Sequence, residues 1–464
     1  MKRCTPGILM LLLLAAAARA QEKPAPDLTS QYRETADKLI DAALADREGY
    51  ERLAYLCYRI GNRLSGSPAL ERAIAWGAEQ MKAAGLSNVR IIPVKVPHWV
   101  RGEESARMVA PLDKPLHMLG LGMSVGTPPE GITAEVLAVS DFSELDKLGA
   151  DKVRGRIVLY NEPYQGYWPT VNYRRTGASR AAALGAVAVL VRSVTPLAMQ
   201  IPHTGEMRYD NAQPRIPAAA VSPEDAMMMA ALTAGGVTVK VHLRMSAHLE
   251  PDADSGDVIG EIPGRERPEE VVVIGGHIDS WDVGQGAQDD GASIIACLQA
   301  VALMKKLGLQ PRRTIRVAFW VNEENGGRGG EAYRAWIGDR IRNQVAAIEM
   351  DGGAETPVGF GAAVDKPSTD LLRQAGRLLE RVGAGDIGGG GGGADIEPLM
   401  RDGVPGLAER TVGTHYFDWH HTEADTFDKV NLDDFRKNMA AMAVMGYVLA
   451  DMPGRLTSSG GTAQ

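Results

Sequence analysis

Cysteine, aromatic residues and surplus positive charge are all scarce in this chain, and each shortage removes a class of explanation. Three cysteines cannot build a disulfide framework. Cys4 lies in an N-terminal segment of export character, and Cys57 and Cys297 fall inside apolar helical patterns, where the expectation is a buried free thiol. A net charge of -8 with no basic stripe excludes the electrostatic footprint of a nucleic-acid binder. The apolar run near the N-terminus is well short of the roughly 20 residues a spanning helix needs. The six glycines Gly388 to Gly393 lack the lysine and Ser/Thr of a phosphate-cradling loop, which excludes nucleotide binding there and leaves either a pocket wall or a linker.

What is present begins with Met1-Lys2-Arg3, an apolar run from Ile8 to Ala18 and Ala18-Arg19-Ala20 before Gln21, the layout of a cleaved signal peptide over residues 1–20. The expectation is an exported protein, periplasmic or secreted, with no membrane span once the signal is removed. At 464 residues the chain exceeds what a single growing core serves, so two domains are expected. Apolar residues recur at helical spacing from Leu28 to Leu86, a strand follows near Val89 to Val94, and Pro97, Pro111 and Pro115 then interrupt regular structure. Residues 108–249 read as a β-rich insert with strands at Ala134 to Val139, Ile157 to Tyr160, Ala186 to Val191 and Val237 to Leu243. The insert divides a catalytic domain into residues 21–107 and 250–454, and residues 455–464 read as a disordered tail.

From Asp257 onward apolar strands alternate with helices: Val271 to Gly275, helix Gly291 to Leu307, Thr314 to Val321, helix Gly330 to Ile341, Val345 to Met350, helix Ser368 to Val382 and a last helix Leu432 to Ala450. This alternation predicts an α/β fold, a mostly parallel (mixed) sheet with helices on both faces. Ligands bind such sheets at the carboxyl ends of the strands. His277 and Asp279 follow one strand, Glu323 and Glu324 the next, and Asp351 a third.

Each feature has a bland reading when taken alone. His-x-Asp is usually a histidine at a strand end, Asp289-Asp290-Gly291 a pair of carboxylates capping a helix, Glu323-Glu324 a solvated turn, and His420-His421 a surface loop. Together they converge several anions on one crevice, which is costly unless a cation neutralises them. Histidine and carboxylate ligands without thiolates favour zinc in a catalytic setting. Asp279 fits the partner that orients a metal-bound His277, and of two adjacent glutamates one can hold metal while the other handles the proton of the attacking water.

Four segments, GGHIDSWDVGQGAQDDGAS, FWVNEENGGRGG, IEMDGG and DWHHTEADT, resemble in order and spacing the dinuclear zinc exopeptidases, the family of bacterial leucyl aminopeptidases and glutamate carboxypeptidases. The resemblance spans nearly the whole mature chain. It implies two zinc ions, with Asp289 bridging them, His277 and Asp351 completing one site, Glu324 and His421 the other, and Glu323 as general base. Aligning His-His-Thr with the family's Tyr-His-Thr selects His421 over His420. The resemblance also implies a cis peptide between Asp289 and Asp290. Where many members carry Ser-Asp-His this chain reads Ala394-Asp395-Ile396, so substrate contacts do not transfer. Asp395, His415 and Tyr416 are candidates by position only, the last two as groups that stabilise an oxyanion or touch substrate. Lys152 to Val191 resembles the protease-associated domain that many exopeptidases carry.

The implied activity is hydrolysis of dipeptides or short peptides. The competing expectations are an aminopeptidase on longer peptides, a single-zinc glutaminyl-cyclase-like transferase, and a receptor-like scaffold without chemistry; the complete ligand set argues against the last two. The insert is a candidate pocket lid, partner surface or contact in a homodimer.

Overall fold

Alternation along the strand Arg267–His277 divides the molecule into two layers, because Val272 and Ile274 enter one core while Val273 enters another on the opposite face. The neighbouring strand Arg313–Trp320 does the same, with Ile315, Val317 and Phe319 on the first face and Ala318 and Trp320 on the second. Strands buried on both faces belong to the centre of a sheet covered by helices. The computed structural model describes residues 27–460.

The main sheet has eight strands in the order Ser87–Val100, His248–Ile262, Arg313–Trp320, Arg267–His277, Gln344–Glu349, Gly406–Thr411, Pro357–Ala363, Asp386–Gly389. Its four central strands, from Arg313–Trp320 to Gly406–Thr411, run parallel, and the antiparallel pairings lie toward the edges. The mixed α/β architecture is therefore as expected. The helix Ala292–Lys306 is buried all round through Met304, the mark of a helix sandwiched in a core rather than lying on a surface. Against it packs Leu432–Asp451, whose N-cap Asn431 accepts from the N–H groups of Asp433 and Asp434.

A second eight-stranded sheet is built from strands between Glu104 and Met245, ordered Lys114–Leu116, Glu104–Ala110, Lys240–Met245, Ile132–Val139, Ile157–Tyr160, Ala188–Arg192, Ala218–Val221, Met118–Gly120. It is an insert with its own two cores. Trp281, from the loop after His277, is buried in one of them, so the insert is packed directly on the loop between two of the expected ligands.

Two expectations need correction or fall outside view. Residues 455–460 are not loose: Leu456 joins the main core, Arg455 pairs with Glu270 at 2.8 Å, and Ser458 bridges Val364. The expected signal segment lies outside the described residues. Cys57 and Cys297 are free and buried. Among the described residues no helix is long and apolar enough to cross a membrane.

Candidate metal centre

Three adjacent parallel strands, Arg313–Trp320, Arg267–His277 and Gln344–Glu349, end at one edge of the main sheet and deliver Glu323 and Glu324, His277, and Asp351 to one place. Glycine makes the approach possible. A Cβ on Gly276 would lie 2.1 Å from the Asp290 carboxylate, which instead accepts the His277 N–H at 3.1 Å. Residues 287–291 form a wide turn with non-helical backbone at Asp289 and Asp290, and the peptide between them is cis. These carboxylates do not cap the following helix.

Asp289 faces two ways. Its Oδ1 lies 3.2 Å from His277 Nε2 and its Oδ2 3.3 Å from His421 Nε2. His277 Nε2 is also 3.3 Å from Asp351 Oδ1, and His421 Nε2 is 3.1 Å from Glu324 Oε2. The five expected ligands thus form two sets that share one aspartate. His420 stacks on His421 at 3.5 Å between ring centroids, but its Nε2 is 3.7 Å from Asp289.

The donor set suits divalent cations. Asp289 Oδ2 is buried without a hydrogen-bond partner among the described residues. Burial raises the Glu324 carboxyl well above its usual range, with the Asp289 charge adding to the rise; burial also raises Asp351, against the pull of His277. Three overlapping groups here are close enough to hold a metal ion, His277 with Asp289 and Glu324, His277 with Asp290 and Asp351, and Asp289 with His420 and His421, and a cation would relieve the repulsion.

Asp279 sits differently from the expectation that its carboxylate orients His277. His277 Nδ1–H donates to the Asp279 backbone carbonyl at 3.1 Å, while the carboxylate stands 3.7 Å away. That carboxylate instead accepts the backbone N–H of Glu323 at 3.2 Å and of Glu324 at 3.4 Å. Glu323 lines the cavity, and burial, reinforced by Asp351, Asp289 and Asp279 against the pull of His277, pushes its carboxyl up to about 8.

The ligands open into a cavity of about 1120 Å³. One wall is Gly390 to Gly393, so the glycine run is part of the pocket; a Cβ on Gly393 would lie 2.1 Å from the Glu349 carboxyl carbon. Another part of the lining comes from the insert and includes Tyr167, Trp168 and Arg175. Tyr416 lines the cavity. His415 does not: its ring is largely exposed and paired with Asp418 at 2.8 Å. Asp395 is fully buried behind the glycine wall and does not reach the cavity either.

The family model of peptidase family M28 matches residues 257–445. Carboxypeptidase Q of Bos taurus is 41% identical over 433 residues, which cover 93% of this chain and 92% of that protein. The chain belongs to peptidase family M28. This M28 peptidase also matches the crystal structure of a peptidase M28 precursor from Shewanella amazonensis SB2B, with a TM-score of 0.89, 31% identity and coverage of 92% of this chain and 98% of the other. A zinc aminopeptidase from Bacillus subtilis shares the fold at a TM-score of 0.65 and 18% identity, with coverage of 88% and 96%.

Several residues that build the site of this M28 peptidase carry no signal in the sequence. Arg63 is fully buried and donates to the carbonyls of Ile278, Gly61, Gln285 and Gly286, fixing the loop between His277 and Asp289. Asp425 accepts the N–H of Gln288 at 2.7 Å and of Asp289 at 3.2 Å; the run His-His-Thr-Glu-Ala-Asp contains it but does not disclose this role. The insert residues of the pocket wall lie far from the ligands in sequence, and nothing in their local pattern distinguishes them.

Proposed function

We propose that this M28 peptidase is an exported, zinc-dependent exopeptidase that hydrolyses dipeptides and other short peptides. The observation that carries this reading is Asp289, which lines the cavity, with its two oxygens directed at His277 and at His421. His277 and Asp351 would complete one zinc position, and Glu324 and His421 the other. Two zinc ions there would polarise the scissile carbonyl and lower the pKa of a water.

Glu323 is the residue left free for proton transfer. Its carboxylate would take the proton from the attacking water and deliver it to the nitrogen of the leaving amine, which balances the hydrolysis. Asp279 fixes the turn that presents Glu323, and Tyr416 is placed to contact the substrate beside the centre. The insert wall supports short substrates with a free carboxylate, because Arg175 lines the cavity and its buried Nε has no hydrogen-bond partner among the described residues. The same reading takes the insert as a protease-associated domain.

The experiment compares wild type with Glu323→Gln on a panel of dipeptides, counting zinc on both. Two zincs in each, with turnover reduced about 10²–10⁴-fold in the variant, is expected for loss of a general base. A wild type that binds no zinc, or a variant as active as wild type, overturns the reading.

A further inference from the structure

The two metal positions are supported by different parts of the molecule. At the first, every support comes from the catalytic domain: the His277 N–H donates to Asp290, and His277 Nδ1–H donates to the Asp279 carbonyl. At the second, Asp279 of the catalytic domain holds the Glu324 N–H, but the supports of His421 come from the insert. His203 Nδ1–H donates to the His420 carbonyl at 2.8 Å, and the Thr204 N–H donates to the His421 carbonyl at 3.0 Å. The Thr204 carbonyl then lies 3.3 Å from His421 Nδ1, where it accepts the N–H on the side of the ring away from Asp289 and Glu324. Arg174 holds the same carbonyl, with Nη1 donating to it at 3.2 Å while lying 3.4 Å from His421 Nδ1, and Nη2 donating to the Tyr167 hydroxyl at 2.9 Å.

His421 needs such a clamp. Its φ is +63°, a backbone conformation that side-chain-bearing residues adopt only where the surroundings over-determine it. Glu324 is tied to the insert as well: its Oε1 accepts the backbone N–H of Trp281 at 3.1 Å, and the Trp281 ring is buried in the core of the insert. Two glycines admit these contacts. A Cβ on Gly122 would lie 1.9 Å from the Trp281 ring, and a Cβ on Gly205 would lie 2.3 Å from the Arg174 guanidinium and 2.7 Å from His421 Nδ1.

We propose that the insert is a structural part of the metal centre, holding the Glu324–His421 position in ligating geometry while the His277–Asp351 position stands without it. The inference rests on the reading of His421 and Glu324 as ligands and adds that their zinc affinity depends on residues 203–205, which make no contact with metal. Partners that orient a ligating imidazole through its other ring nitrogen are worth about 10–100-fold in metal affinity. The loss on disturbing the clamp therefore falls on one zinc of the two.

The test is zinc titration of the full-length protein against a competing chelator, with thermal unfolding recorded on each variant. Wild type takes up two zincs and His421→Ala one. Gly205→Ala retains one zinc at wild-type affinity and binds the second at least tenfold more weakly. Gly236→Ala, in a turn of the insert where φ is +77° and a Cβ meets open space, controls for backbone strain and keeps both affinities. His203→Phe, which deletes the donor to the His420 carbonyl without adding backbone strain, also weakens the second zinc and serves if Gly205→Ala does not fold. Two zincs at wild-type affinity in a folded Gly205→Ala or His203→Phe overturn the inference, as does an equal loss in Gly236→Ala. Two zincs at wild-type affinity in His421→Ala overturn the ligand reading itself, which the other variants leave untouched.

Discussion

Asp279 and Glu323 are joined across two strand ends by a hydrogen bond of 3.2 Å from the glutamate N–H to the aspartate carboxylate, and the same carboxylate holds Glu324 through its N–H at 3.4 Å. One buried side chain therefore sets the turn that presents both Glu323, the proposed general base, and Glu324, a proposed metal ligand. Asp279→Ala leaves these N–H groups without their acceptor and is expected to lower kcat/KM and zinc affinity together, each by about 10–100-fold. Asp279→Asn keeps one acceptor oxygen and loses less. Steady-state kinetics and zinc titration on the two variants check this order; equal effects would show that charge, not acceptance, is what Asp279 provides.

Metal removal should destabilise the fold, because the carboxylates around Asp289 then face one another without a cation. A ligand at 1,000 times its dissociation constant stabilises the native state by about 4 kcal/mol. The melting temperature in excess zinc is expected to fall on chelation and to recover when zinc is restored. A midpoint indifferent to chelator contradicts a metal at this place.

Arg175 is expected to discriminate by substrate terminus. Arg175→Ala is expected to raise KM for dipeptides with a free carboxylate about tenfold, the loss of one charge-assisted contact of the 1.5–3 kcal/mol class, with little change in kcat. Dipeptide amides, which offer no carboxylate, should be insensitive. A uniform loss on both substrates would place the free carboxylate elsewhere.

Acid stability has a specific contributor at Glu270. Its burial would raise the carboxyl, but Arg455 and Arg313 outweigh that and hold it down to about 2. Arg267 adds a third guanidinium at 3.3 Å. A carboxyl depressed on folding contributes stability that is present above the unfolded value near 4.5 and is lost as pH falls through the folded value near 2. Glu270→Gln should therefore cost stability at pH 7, about 1 kcal/mol once solvent screening of the exposed guanidinium partners is allowed for, and progressively less between pH 4.5 and 2. Denaturant midpoints across this range measure it, and a penalty constant with pH would remove the charge from the explanation.

Continuous apolar runs make the central strands legible from the sequence. Val271 to Gly275, Thr314 to Val321 and Val345 to Met350 are buried on both faces, so composition alone reports them, and the helix expected from Gly291 to Leu307 is found at Ala292–Lys306. Elsewhere the pattern is silent. The strand His248–Ile262 opens with exposed polar residues because that half pairs only with Ser87–Val100. Pro357–Ala363 and Asp386–Gly389 pair through glycine: a Cβ on Gly359 would lie 1.9 Å from the Asp386 carbonyl, so this pairing excludes the side chains that would have announced it. The helix expected to reach Ile341 stops at Ile337, where Gly338 takes a φ of +56°.

By itself the sequence determined the α/β class and the placement of His, Asp and Glu residues after strands, because each depends on local periodicity, while the proposed ligand roles among them came from the family resemblance. The tertiary structure alone decided that Asp289 faces both ligand sets, that Asp279 serves the glutamates more than the histidine, that His415 and Asp395 stand outside the cavity, and that the insert reaches the centre. Thr204 and His421 are 217 residues apart. Contacts at that separation are selected by how two cores pack against one loop, and no periodicity within either segment records them.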